Sequence, residues 1–140
     1  MEQIKRNKSL AILNKIEELN NVVAFLEVLE EEWGISPAHT TSINLVLEEA
    51  LTNVIFYAFE KGVESEILID LKMEGALTTI IITDEGRPYD PTQKNDPDIN
   101  LSAEDRPIGG LGIFLIKQIM DEISYERIGS KNQFTMLKKW

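Results

Sequence analysis

An α+β two-layer sandwich, with helices on one face of a mixed sheet, is the fold that the sequence predicts. Three observations lead there. Apolar residues recur every three or four positions as far as Glu60, strict alternation and a continuous aliphatic run take over between Glu66 and Thr83, and a glycine-rich stretch then precedes one short helical pattern and two closing strands.

In the first element, Leu10, Leu13, Ile16, Leu19, Val23, Leu26 and Leu29 stand at helical spacing among glutamates, which predicts a helix from Ser9 to about Trp33. Ser9 would cap its start and Gly34 its end. Ser36-Pro37, a capping residue before a proline at the first helical position, announces a second helix running to about Glu60, where Gly62 stops it. Glu66 to Met73 and Leu77 to Thr83 read as strands joined by the short Glu74-Gly75 link, a predicted antiparallel hairpin. From Pro88 to Gly109 the chain is polar and broken by Asp90-Pro91, Asn95-Asp96-Pro97 and Asp105-Arg106-Pro107, so a long functional or mobile loop is expected there. Ile113, Leu115, Ile116, Ile119 and Met120 then predict a short helix, and Ile123 to Ile128 and Phe134 to Leu137 the closing strands.

A chain of 140 residues is the size of one domain with one core, so residues 1–140 are read as a single domain. With 43% hydrophobic and 27% charged residues it has the composition of a globular protein. The 24 acidic against 14 basic residues leave a formal charge of −10, which repels phosphate backbones and argues against nucleic-acid partners. Any polyanionic ligand needs local help from a metal ion and backbone N–H groups. The absence of cysteine excludes disulfides and thiolate metal sites. No apolar stretch reaches membrane-spanning length and no signal core follows the first residues, so a cytoplasmic protein without a membrane partner is expected.

Three constellations carry chemistry. On the second helix, Glu49, Asn53 and Tyr57 are four apart and share a face. One turn apart, a carboxylate and an amide oxygen can address one phosphate tail: Asn53 as a ligand of a hard cation such as magnesium, Glu49 as the group that orients or deprotonates an attacking hydroxyl. Glu48 is the rival carboxylate, but only Glu49 shares a face with Asn53. The same spacing also suits two solvated positions on an amphipathic helix. In the second constellation, the aliphatic run Ile80-Ile81-Ile82 delivers Asp84 at a strand end, where a buried carboxylate can accept from the exocyclic amine of adenine, and Gly86 lets the chain turn nearby. An ordinary acidic turn is the competing reading. In the third, Gly109-Gly110-Leu111-Gly112 places three glycines just before an apolar helix, where free amides and the positive helix end suit phosphate. The spacing fits neither Gly-x-Gly-x-x-Gly nor a Walker loop.

Taken in order, Leu47-Glu48-Glu49-Ala50-Leu51-Thr52-Asn53, Ile82-Thr83-Asp84-Glu85-Gly86 and Gly109-Gly110-Leu111-Gly112-Ile113 resemble the motifs of the GHKL ATPases, which have the Bergerat, or histidine kinase-like, fold. The small size and the phrase Glu49-Ala50-Leu51-Thr52-Asn53 look most like the bacterial anti-sigma factor serine-protein kinases. The resemblance implies ATP and Mg2+ as cofactors, Glu49 as the catalytic base toward a partner's serine, Asn53 as the magnesium ligand, Asp84 and Gly86 at adenine, and Gly109, Gly110, Leu111 and Gly112 at the phosphates under a mobile lid at about 88–109. It further implies an anti-sigma factor antagonist protein and a sigma factor as partners, and a homodimer. The chain departs from the family pattern at Tyr57, where a histidine is common, at Pro88, where a glycine is common, and at Asn132-Gln133, where a glycine-threonine pair is common. A nucleotide-dependent binding switch without phosphotransfer is the alternative function, and a structural domain without a ligand the third. His39, Trp33 and Trp140 are read as capping, surface or packing residues.

Overall fold

The computed structural model of the protein describes residues 4–93 and 110–140. The elements run β1 (Lys5–Leu13), a 3-10 turn (Ile16–Glu18), α1 (Leu19–Trp33), α2 (Pro37–Tyr57), β2 (Glu66–Glu74), β3 (Leu77–Asp84), a second 3-10 turn (Pro91–Gln93), α3 (Gly110–Ile119), β4 (Glu122–Ile128) and β5 (Lys131–Lys139).

The strands form one sheet in the order β1-β2-β3-β5-β4. Every neighbouring pair is antiparallel. The two layers are therefore as expected, but the sheet is antiparallel rather than mixed. The helix expected from Ser9 to about Trp33 is also corrected: only Leu19–Trp33 is helical, and Lys5–Leu13 is a strand antiparallel to β2, with Ser9 opposite Asp70 and Ile12 opposite Ile67. Ser9 caps nothing; its hydroxyl donates to the Asp70 carboxylate. The strand closes at Asn14, whose backbone N–H donates to the Ser65 carbonyl at 3.0 Å and whose side chain accepts from Ser65 N at 2.9 Å.

The helices follow local chemistry. Gly34 ends α1 in the left-handed region at φ 64°, a backbone geometry that glycine adopts without strain. Ser36 caps α2, its hydroxyl accepting from His39 N at 3.2 Å, ahead of Pro37 in the first turn. α2 ends at Tyr57, somewhat before the predicted Glu60.

Alternation decides which strand residues face the helices. Ile67, Ile69 and Leu71 of β2, Ile80 and Ile82 of β3, and Phe134 and Met136 of β5 are buried. They meet Leu26 and Leu29 of α1, Leu47 and Leu51 of α2, and Ile113 and Ile116 of α3 in one core. α2 touches both α1 and α3, so its buried positions spread wider than a single stripe and include Asn53. That central, flanked position carries the amide into the interior. Among the described residues no helix is long and apolar enough to cross a membrane.

Candidate functional site

Asp84 is the last residue of β3 and lies directly opposite Asn132 of β5. The residue is 3% exposed. One oxygen, Oδ1, accepts from Gly86 N at 2.9 Å and from Asn132 Nδ2 at 2.9 Å. The other, Oδ2, accepts from no described residue, so an acceptor remains for an incoming N–H donor. Burial raises the Asp84 pKa above the ordinary aspartate value, against the opposing pull of Asn132, the Gly86 N–H and the Arg127 guanidinium.

Gly86 serves a close approach. A Cβ there would stand 2.3 Å from the Ala58 carbonyl oxygen and 2.8 Å from the Ala58 Cβ. The adjoining Arg87 fastens this contact, its backbone N–H donating to the Ala58 carbonyl at 2.8 Å and its Nε to the Tyr57 carbonyl at 2.7 Å. These two carbonyls belong to the carboxyl end of α2, where backbone acceptors lack intrahelical partners. The turn after β3 is thereby bound to the helix that carries Asn53.

Asn53 is 2% exposed, which rejects the reading of this position as a solvated one. Neither Oδ1 nor Nδ2 of its amide has a hydrogen-bond partner among the described residues. A buried amide left unpaired costs about 1–3 kcal/mol, and such a group calls for a ligand or another specific explanation. Asn53 and Asp84 line one cavity, together with Ala50, Tyr89, Pro91 and Asn132. It measures about 10 Å3, room for about one water molecule against the roughly 300–1,000 Å3 of a ligand pocket.

Glu49 does not line that cavity. It sits one turn before Asn53 on α2 and is half-buried, whereas Glu48 is exposed and lines a separate groove with Leu19 and Asn44. Burial, and secondarily the Glu48 charge, raise the Glu49 pKa above the ordinary glutamate value. Three predicted positions are therefore only partly gathered: Asn53 and Asp84 face each other across one space, with Glu49 on the same helix beyond it.

The glycine-rich segment is corrected in one respect. α3 begins at Gly110, so Gly110, Leu111 and Gly112 form its first turn rather than a loop ahead of it. The first turn of a helix carries free N–H groups in either case. Gly109 and most of the predicted lid at 88–109 lie outside the described residues. The described part, Pro88 to Gln93, contains the Pro91–Gln93 turn, where Asp90 Oδ1 accepts from Thr92 N at 2.8 Å.

Sequence reasoning missed four residues here. Asn132, noted only as a departure from a pattern, is the hub: besides its bond to Asp84, Nδ2 donates to the Arg87 carbonyl at 2.8 Å. Its Oδ1 accepts from the Tyr125 hydroxyl, from Arg127 Nη1 at 3.1 Å and from Tyr89 N at 3.3 Å. Arg127 Nη1 also donates to the Gly86 carbonyl at 2.8 Å. Tyr89 stacks on Tyr57 with ring centroids 5.5 Å apart, and burial, helped by Tyr57, pushes its pKa up to about 12. The available signal was Ile123-x-Tyr125-x-Arg127, an alternation that places two polar side chains on the inward face of β4.

The chain is similar in sequence and in fold to several known proteins. The chain is 32% identical to the serine/threonine-protein kinase BtrW of Bordetella bronchiseptica over 77% of its own length and 75% of that protein. It is 30% identical to the serine-protein kinase RsbW of Listeria monocytogenes, over 64% of this chain and 60% of that one. The anti-sigma F factor of Bacillus subtilis is 24% identical over 61% of this chain. In fold it is similar to the crystal structure of the RsbU and RsbW domains of a Mycobacterium tuberculosis protein, with a TM-score of 0.65 at 12% identity, covering 96% of this chain and 32% of that one. The histidine kinase domain of a blue-light activated kinase from Erythrobacter litoralis matches with a TM-score of 0.54 at 15% identity, over 89% of this chain and 60% of that one. The profile of the histidine kinase-like ATPase domain covers residues 12–138. With nearly the whole chain inside that profile, the protein belongs to the histidine kinase-like ATPase domain family.

Proposed function

We propose that the protein is an ATP- and magnesium-dependent serine-protein kinase of the anti-sigma-factor type, working in the cytoplasm on a small antagonist protein and binding a sigma factor. The observation that carries this reading is the buried amide of Asn53, without a hydrogen-bond partner among the described residues, lining the same cavity as Asp84. The names of the relatives, two protein kinases and an anti-sigma factor, supply the direction.

The residues fit the group in question. Asn53 offers a hard oxygen for magnesium, which when bound would neutralise charge on the phosphate oxygens. Asp84 Oδ2 is open to the exocyclic amine of adenine, while its Oδ1 is held by Gly86 and Asn132. Gly86 keeps that carboxylate against the end of α2, since a side chain there would force the two apart. Gly110, Leu111 and Gly112 would offer the N–H groups of the first turn of α3 to phosphate oxygens, and Gly109, which lies outside the described residues, precedes them in the sequence. Glu49 takes the proton of the partner's serine hydroxyl, and its raised pKa makes it a better base than an exposed glutamate. Entry of a nucleotide requires the walls around Tyr89 and Pro91 to part, which is the work expected of a lid at about 88–109.

A second reading, a nucleotide-dependent binding switch without transfer, is favoured by one observation: Glu49 stands outside the cavity that Asn53 and Asp84 share. Two measurements separate the readings. Calorimetry with magnesium-ATP should give saturable heat that Asp84→Asn removes; no heat at millimolar nucleotide ends both. Labelled ATP should then transfer its γ-phosphate to a protein captured by a magnesium-ATP pull-down. Binding without any transfer leaves the switch.

A further inference from the structure

A second cavity, of about 520 Å3, opens at the far end of the sheet from Asp84. Arg6 of β1, Trp33 at the end of α1, His39 in the first turn of α2, Met73 of β2 and Trp140 after β5 line it. Its volume falls in the roughly 300–1,000 Å3 range of small-molecule sites. From Thr78 at this end to Asp84 is six residues of strand, about 20 Å, so the two cavities share no wall.

The aromatic walls are held in place without being covered. Trp140 Nε1 donates to Thr78 Oγ1 at 2.8 Å and its backbone N–H to the Ala76 carbonyl at 3.0 Å. One face of its indole stacks on the His39 imidazole, ring centroids 4.0 Å apart and planes inclined by 15°. Trp33, His39 and Trp140 all stay half-exposed. Fixing large aromatic surfaces before a ligand arrives lowers the entropy lost on binding.

The charge runs against the chain's balance. Acidic residues outnumber basic ones by 24 to 14, yet among the described residues no aspartate or glutamate lines this cavity, and its one fully charged side chain is that of Arg6. The Arg6 guanidinium donates from Nη1 to the Trp33 carbonyl, and among the described residues it makes no other hydrogen bond or ion pair. Lys138 Nζ adds positive charge 5.6 Å from the Trp140 ring, offset in part by Asp121 at 3.5 Å. Two tryptophans and an imidazole around an apolar floor suit a flat apolar ring, and the guanidinium suits a negative charge at its edge.

We propose that this cavity is a second ligand site, apart from the nucleotide site, for a small planar aromatic anion whose carboxylate or sulfonate pairs with Arg6 while its ring lies against the tryptophan walls. The chain itself reports on occupancy, because both of its tryptophans line the cavity. In proton–nitrogen correlation spectra of the full chain, the two indole N–H signals should shift saturably as naphthoate is added into the millimolar range. Neutral naphthamide should bind at least about tenfold more weakly, the loss of one charge-assisted hydrogen bond, and Arg6→Ala should weaken naphthoate by a similar factor. Ala76→Phe, at an exposed position whose backbone bond to Trp140 is kept, fills the cavity and should abolish the shifts independently of Arg6. Naphthoate shifts should persist with magnesium-ATP saturating, and their loss, which would mean that the nucleotide occupies this cavity, would overturn a separate site. Absent shifts at millimolar naphthoate, equal shifts from naphthamide, or shifts that survive Ala76→Phe would each overturn the proposal.

Discussion

Replacing Gly86 by alanine isolates the contact between the turn after β3 and the end of α2. The glycine is not among those with positive φ, so the alanine backbone is unstrained and its methyl alone carries the effect. That methyl would lie 2.3 Å from the Ala58 carbonyl oxygen and 2.9 Å from its carbon. To reach even a tight 3.0 Å, turn and helix must separate by about 0.7 Å in a region packed at interior density. Such overpacking costs about 1–3 kcal/mol. The same displacement weakens the 2.8 Å bond from Arg87 N to the Ala58 carbonyl, which adds about 1 kcal/mol. We therefore expect Gly86→Ala to lose about 2–4 kcal/mol in urea unfolding, a shift of the midpoint without a change of slope. Gly34→Ala serves as the comparison: nothing stands within 4 Å of its added Cβ, so its cost comes only from the left-handed backbone, about 1 kcal/mol. A Gly86→Ala loss no larger than that of Gly34→Ala would refute the close-approach argument.

Other outcomes follow from the same geometry. Glu49→Gln should leave magnesium-ATP heat intact and lower phosphotransfer by about 10²–10⁴-fold; because the base must be ionised and its pKa is raised, the wild-type transfer rate should fall as pH drops through a midpoint above the ordinary glutamate value, and Glu48→Gln should move that midpoint down. Asn53→Ala should change the stability of the nucleotide-free protein by less than about 1 kcal/mol, since lost packing is offset by removal of an unpaired amide, yet the thermal shift given by magnesium-ATP should disappear. For Asp84, a folded pKa above the unfolded one means the native state holds the extra proton in that window, so its ionisation penalises folding above the folded pKa and the penalty fades as pH falls toward the ordinary aspartate value. Asp84→Asn should accordingly fold at least as stably as wild type at neutral pH, with the difference shrinking on acidification in a series of urea titrations, while nucleotide heat is lost. Ser36→Ala removes the cap of α2 and should cost about 1 kcal/mol by the same unfolding assay.

The readable parts of this fold are those whose signals are local. Ser36-Pro37, Gly34 and the Glu74-Gly75 link act within a few residues of themselves, and the elements beside them stand where the sequence puts them. β1 was hidden because Leu10, Leu13, Ile16 and Leu19 happen to continue the spacing of α1, while the competing alternation of Leu10 and Ile12 is only two residues deep. What makes Lys5–Leu13 a strand is the open edge of β2, a partner more than fifty positions away. In the candidate site, Asn53 and Asp84 were legible as motif residues. Asn132 was not, because its significance comes from register: it faces Asp84 only after β5 has paired with β3.

The double attachment of Arg87 to the carboxyl end of α2 has a mechanical meaning. Two carbonyls of one helix terminus grip a single residue, and Asn132 grips its carbonyl from the other side. Helix, turn and central strands are thus riveted into one frame, and a guest pressing on Asn53 also loads Asp84. The chain after Pro88 is held to this frame less tightly, by the 3.3 Å bond from Tyr89 N to Asn132 and the Tyr89 ring on Tyr57, so any widening of the gap is expected on the Tyr89 side before the frame itself yields.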